Sequence, residues 1–271
     1  MTTIDHNAGF FSNCSVRLHY IVKYLNEHGS LPPFVDTSRS FDWYKKKEGD
    51  ITFEYFKHYD TIEIEVPERP IDYNWDKQFE NYKTCMDYPV ISQLVHKYFT
   101  PSEKIIEKVE FLENKYCIDY TNTCAIFHRG TDKINETEIP DFSVYIAKAR
   151  EILEREPNTR FLLQSDDTKF IEKLTNEFPY NSFYFKDEII HVDLDLSDDQ
   201  WRQVRGAPFY NGYFYRKTSD HFEYSKIFLA VILIMAKCKH VICGSGNCSV
   251  WIVKYRGNPD GVQQFLNGTW L

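Results

Sequence analysis

Within the run His128-Arg129-Gly130-Thr131-Asp132-Lys133 the chain gathers one guanidinium, one ammonium, one carboxylate and a glycine. That mixture suits a phosphorylated or diphosphate ligand. Arginine offers phosphate oxygens a planar fork of donors and lysine a point charge. A solvated turn is the other reading of the same residues. Two more clusters carry related chemistry. Ser165-Asp166-Asp167 supplies adjacent carboxylates, and Gly244-Ser245-Gly246-Asn247, continuing to Ser249, is a glycine-rich loop that can point backbone N–H groups at an anion if a helix follows it. Taken singly, the aspartates read equally as a helix cap and the glycines as a close-packed turn.

What joins the three clusters is the element in front of each. Cys124–Phe127, Phe161–Gln164 and His240–Cys243 are short runs without a polar face, the pattern of strands buried on both sides. Between them lie helical patterns. Tyr145, Ala149, Ile152 and Leu153 share one helix face, Phe170, Ile171, Leu174 and Phe178 another, and Phe228–Ala236 is a wholly apolar helix with Ser219 or Asp220 as its cap. A further helix is expected over Val250–Tyr255, and further strands over Ser182–Phe185 and Ile189–Asp193. Asp193-Leu194-Asp195 has the spacing of a metal-binding acidic pair, but within an alternating strand it reads as structural. Strand alternating with helix predicts an α/β fold with a parallel sheet covered on both faces. All three clusters would then lie along its carboxyl edge, where a nucleotide can span them.

The first half is less regular. Gly9–Asn13 feeds a helix carrying Leu18, Ile21, Val22 and Leu25 and ending at Gly29. Ser12 or Asn13 would cap it, or Gly9, Ser12 and Asn13 would meet a polar ligand at its N-terminus. Strands are expected at Phe34–Asp36 and Thr61–Val66. Helices are expected from Asp87-Tyr88-Pro89 to Phe99 and from Thr100-Pro101-Ser102-Glu103 onward, the second with a capping box, proline at its first position and a stripe of Ile105, Val109 and Leu112. The polar stretch after Asn114 suggests two domains, residues 1–118 and 119–271.

The totals narrow the function. A chain of 271 residues buries a proper core, and a net charge of −8 excludes a general nucleic-acid binder, which needs a basic face. Seven cysteines without a CxxC pair read as reduced thiols. The polar N-terminus is not a signal peptide, and the run at Phe228–Ala236 is far short of the ~20 residues that span a bilayer. A protein working in the cytosol, with no membrane span, is expected.

Arg129-Gly130-Thr131-Asp132-Lys133 resembles the Arg-Arg-Thr-Asp-Lys signature of the α-1,6-fucosyltransferases and of the wider fucosyltransferase superfamily, which includes the protein O-fucosyltransferases. Phe161–Tyr180 resembles that family's strand, acidic pair and helix, and Ala236–Val250 its strand and serine-rich turn. The likeness covers roughly residues 120 to 260 and is thin before that, limited to a glycine-bearing loop ahead of a helix at Gly9–Ser15. It implies a GT-B architecture of two Rossmann-like domains, a GDP-sugar donor, a glycan acceptor and no essential metal. By position, Arg129 corresponds to the arginine on the donor β-phosphate, Asp166 or Asp167 to the acidic residue near the nucleoside, and Ser245, Gly246 and Asn247 to the diphosphate turn, with Ser249 beside it. His128, Asp132 and Lys133 would assist at the donor, and Glu136 or Glu138 would be the base for the acceptor. Gly130 replaces the family's second arginine, and Phe127-His128 inverts the usual order. A different nucleotide sugar, or a non-catalytic binding module, is the alternative.

Overall fold

The computed structural model describes residues 2–46, 49, 52–57, 64, 66–129, 140–189 and 220–271. At its start β1 (Thr2–Thr3) pairs in parallel with β2 (Val35–Asp36), and α1 (Phe10–His28) connects them. Leu18, Ile21, Val22 and Leu25 are buried as their spacing predicts, and the helix stops where Gly29 adopts φ 63° and returns its N–H to the Leu25 carbonyl. Its beginning differs from expectation: the N-cap is Gly9, not Ser12 or Asn13. Phe10 and Phe11 are both buried, Phe10 among the rings of Phe41, Tyr44 and Tyr55, and their burial carries the first turn upstream of the polar pair. The Asn13 side chain turns back instead, accepting from the Ala8 N–H (3.2 Å) and donating to the Ala8 carbonyl (3.1 Å).

The short helix α2 (Thr52–Tyr55) runs into β3 (Phe56–Lys57). The α3 helix (Tyr88–Phe99), capped by Asp87, is followed by β4 (Thr100–Pro101) and α4 (Glu103–Tyr116). The capping box does not form. Thr100 and Pro101 pair antiparallel with Phe56 and Lys57, so the N-cap moves to Ser102, whose hydroxyl donates to the Glu54 carbonyl. Strand pairing supplies partners that a cap at Thr100 would have displaced. The strand expected over Thr61–Val66 lies largely outside the described residues, as do Asp193-Leu194-Asp195 and all but the first residue of Ile189–Asp193.

Among the described residues the second half builds one six-stranded sheet. Its strands are β5 (Thr123–His128), β6 (Arg160–Ser165), β7 (Ser182–Phe183), β8 (His240–Gly244), β9 (Val262–Leu266) and β10 (Thr269–Trp270), in the order β10-β9-β8-β5-β6-β7. Every pairing is parallel except β9 with β10. The α/β class with a mostly parallel sheet is as the sequence predicts. The expected division at residue 118 falls in the turn between α4 and β5. A continuous hydrophobic cluster takes in residues on both sides of it, from Ile4 to Val262.

Why β5 has no polar face is clear from its neighbours. Cys124 and Ile126 pack against α5 (Phe142–Arg155) and α6 (Thr168–Glu177), through Tyr145, Ala149, Ile152, Phe170 and Leu174. Ala125 and Phe127 face the other way, with α7 (His221–Lys237) and α8 (Asn247–Arg256). Asp220 caps α7, and α8 begins three residues ahead of the expected Val250 because Gly246 already serves as its N-cap. The described helices include none long and apolar enough to cross a membrane.

Candidate active site at the sheet switch point

From the middle of the sheet the chain leaves β5 towards α5 on one face and β8 towards α8 on the other. In the register, Phe127 lies beside both Gln164 of β6 and Cys243 of β8. Such a divergence opens a crevice at the strands' carboxyl ends, the usual ligand position in an open α/β sheet.

Arg129, the residue after β5, occupies it. Its Nε lies 3.6 Å from Asp166 Oδ2, just past β6, and its Nη1 donates to Cys248 Sγ (3.5 Å) in the first turn of α8. One guanidinium thus joins all three polar clusters. The Arg129 side chain is 30% exposed while its Asp166 partner is 10% exposed, so the pair is anchored from below and open from above. The adjacent aspartate serves the helix instead. Asp167 caps α6, accepting from the Lys169 N–H (2.9 Å), and its own N–H donates to Ser165 Oγ (3.0 Å). Of the two candidates, Asp166 is the one beside Arg129.

His128 points to the opposite face. It is buried and stacked on Phe170 (4.5 Å between centroids), with Phe142 and Tyr145 edge-on, and its Nδ1 is 3.4 Å from the Tyr145 hydroxyl. Burial pushes its pKa down to about 3, so the ring is neutral. The structure separates it from Arg129 and gives it to the aromatic core.

The glycine-rich loop opens α8 as expected, but its side chains turn inward. Ser245 Oγ donates to the Phe265 carbonyl (2.8 Å) and accepts from Gln264 Nε2 (2.9 Å). Buried Ser249 hydrogen-bonds the Cys243 thiol, whose pKa burial raises to about 12. The Gly246 N–H donates to the Tyr82 hydroxyl (3.0 Å). What the loop can still offer an anion is the first turn of α8, where a glycine N-cap brings no capping side chain to the backbone N–H groups.

Asn247, the first residue of α8, is held from the first half. Its Oδ1 accepts from the Ser15 hydroxyl (2.8 Å), and that hydroxyl accepts from Trp251 Nε1 (2.9 Å). The beginnings of α1 and α8 therefore meet through Ser15, while Ser12 contacts His6 and Asn13 turns back to Ala8. Buried Lys254 donates to the Tyr73 hydroxyl (2.6 Å), and burial lowers its pKa to about 7. Tyr82, Gln264, Ser15 and Trp251 escape sequence reasoning because their partners lie far away in the chain and no local pattern marks them. Asp132, Lys133, Glu136 and Glu138 lie outside the described residues. Among the described residues no three His, Cys, Asp or Glu side chains gather into a set that could hold a metal ion.

No protein-family model matches the chain, and no curated protein is similar to it. Among solved structures it is similar to NodZ α-1,6-fucosyltransferase co-crystallized with GDP, at 14% identity and a TM-score of 0.41 over 66% of this chain and 50% of that one. It is also similar to NodZ α-1,6-fucosyltransferase soaked with GDP-fucose, at 10% identity and a TM-score of 0.39 over 66% and 51%. The chain spans about half the length of the solved structures it matches.

Proposed function

We propose that this protein is an inverting, metal-independent glycosyltransferase that moves a sugar, fucose from GDP-fucose as the first choice, to a glycan acceptor. The observation that carries the reading is the position of Arg129 at the switch point, between Asp166 and the first turn of α8. As the bond from the anomeric carbon to the phosphate oxygen breaks, negative charge grows on the β-phosphate and the sugar becomes oxocarbenium-like. Arg129 and the α8 amides meet that charge, an electrostatic contribution of about 3 kcal/mol per donor. Asp166 fixes the guanidinium, and residues 119–271 form the donor side while residues 1–118 form the acceptor side. Asp132 and Lys133, three and four residues beyond Arg129, add to the donor contacts.

Gly130, standing where the resembled family has a second arginine, favours a second reading in which the donor is another nucleotide sugar. Thermal-shift measurements with GDP, UDP and their sugars separate the two, because a ligand that binds the folded state raises its stability according to its affinity. Transfer activity measured across a donor panel tests the central residue. Arg129→Ala is expected to lose on the order of 100-fold in rate, and full activity in that variant would remove the reading. Nucleotide-sugar binding with neither transfer nor donor hydrolysis would make the protein a binding module.

A further inference from the structure

The geometry points to His6 as the general base that takes the proton from the acceptor hydroxyl, an inference that rests on the transferase reading. His6 stands in the loop ahead of α1, and its Nε2 lies 3.0 Å from Ser12 Oγ. Ser12 and Ser15 are three residues apart, so they share a helix face about 5 Å apart along the axis. Ser15 binds Asn247, and the next residue, Cys248, receives Arg129. Following α1 one turn from the α8 junction towards its N-terminus therefore leads from the diphosphate end of the crevice to the imidazole. On the transferase reading, an acceptor on this side would meet a sugar projecting from Arg129.

The loop is built to hold the ring still. Asn7 donates to Asp42 Oδ2 (2.8 Å) and to the Arg39 carbonyl (2.9 Å), and accepts from the Asp42 N–H (3.0 Å). Ala8 is pinned through both its N–H and its carbonyl by Asn13. Beside these anchors the His6 ring makes a single hydrogen bond among the described residues, at Nε2. With the Nε2 proton directed to Ser12 Oγ, the Nδ1 lone pair remains for an incoming hydroxyl. Partial burial lowers the pKa of His6, which keeps the imidazole neutral and able to accept. The described carboxylate and imidazole of the crevice are otherwise committed: Asp166 lies against Arg129, and His128 is sealed among aromatic rings.

In the step itself the acceptor oxygen bonds to the anomeric carbon while the carbon–oxygen bond to the diphosphate breaks. The hydroxyl proton passes to His6 Nδ1, and the leaving electron pair stays on the diphosphate oxygen beside Arg129. Ser12 is a positioning residue that sets which nitrogen faces the acceptor.

The test is release of GDP from GDP-fucose with water as acceptor, measured across pH for the full chain and for His6→Gln, Arg129→Ala, Glu136→Gln and Glu138→Gln, with a GDP thermal shift as the binding readout. Glutamine keeps a polar group towards Ser12 but cannot take a proton. His6→Gln should cut kcat by roughly 100-fold or more, flatten the acidic limb of the pH profile and leave the GDP shift in place. A His6→Gln rate within about threefold of the unmodified protein, with Arg129→Ala inactive, overturns the assignment and leaves the transferase reading standing. Loss of activity in Glu136→Gln or Glu138→Gln with His6→Gln unaffected transfers the role to that glutamate. Full activity in Arg129→Ala overturns the transferase reading instead, and GDP binding without any GDP release in the unmodified protein overturns both.

Discussion

Ser15 donates a 2.8 Å hydrogen bond to Asn247 across 232 positions of sequence, and the same hydroxyl accepts from Trp251. A single serine oxygen therefore fixes how the first-half helix α1 sits on the helix that opens the candidate diphosphate site. Ser15→Ala would leave the Trp251 Nε1 proton buried without this partner and release Asn247. Urea unfolding is expected to show a loss of about 1–3 kcal/mol, and GDP affinity should fall with it although Ser15 belongs to the first half.

Lys254 predicts a pH dependence. Its pKa is lowered by burial to about 7 in the folded protein, against an ordinary value of 10.5 when unfolded. Between these values the unfolded chain holds the proton and the folded chain does not, so stability rises with pH from about 7 to 10.5. Below the window both states are charged and the burial cost is present in full; above it both are neutral and the cost is gone. Lys254→Met should raise stability at pH 6, by an amount on the order of 2 kcal/mol after the lost contact to Tyr73 is counted. The variant should also lack this group's rise between pH 7 and 10, which denaturation at a series of pH values would reveal.

His128 works at the acidic end. With its folded pKa lowered from 6.5 to about 3, only the unfolded chain takes up a proton between those values. Stability therefore falls as pH drops from 6.5 towards 3, by up to about 1.4 kcal/mol per pH unit from this group. His128→Phe preserves an aromatic ring against Phe170 and should flatten that part of the profile. Because the imidazole lies on the face away from Arg129, the variant is expected to keep its thermal shift with GDP.

Metal independence has its own check. If Arg129 and the α8 amides carry the leaving group, transfer or donor hydrolysis should proceed at the same rate in excess EDTA as in added Mg²⁺ or Mn²⁺. A rate that collapses with the chelator and returns with the ion would move that role to a metal.

The parts of the molecule legible in sequence were those whose surroundings leave no choice. A strand buried on both faces is mostly apolar, and the apolar runs inside β5, β6 and β8 were readable for that reason, together with the clusters that follow them. Local chemistry also placed a helix start at Asp87-Tyr88-Pro89 and a cap at Ser219 or Asp220, and the caps are Asp87 and Asp220, because an N-cap acts within a few residues of itself. It failed where tertiary contacts outbid it. Two buried phenylalanines moved the start of α1, and pairing with Phe56 and Lys57 turned Thr100 and Pro101 from a cap into a strand. In the site, the adjacent Asp166 and Asp167 were indistinguishable until structure set one beside Arg129 and the other on a helix terminus. The inward turn of Ser245 and Ser249 depends on Gln264, Phe265 and Cys243, none of which belongs to a recognisable motif.

The sheet also limits itself. Both outer strands, β7 and β10, are two residues long. The Arg160 guanidinium lies over the Phe183 ring at 4.5 Å, and Trp270 packs against Tyr145 and Phe265. Long unpaired edges are templates on which a second chain can continue the ladder, and edges this short present few free main-chain groups. Among the described residues, neither outer strand offers a second chain a long ladder to continue.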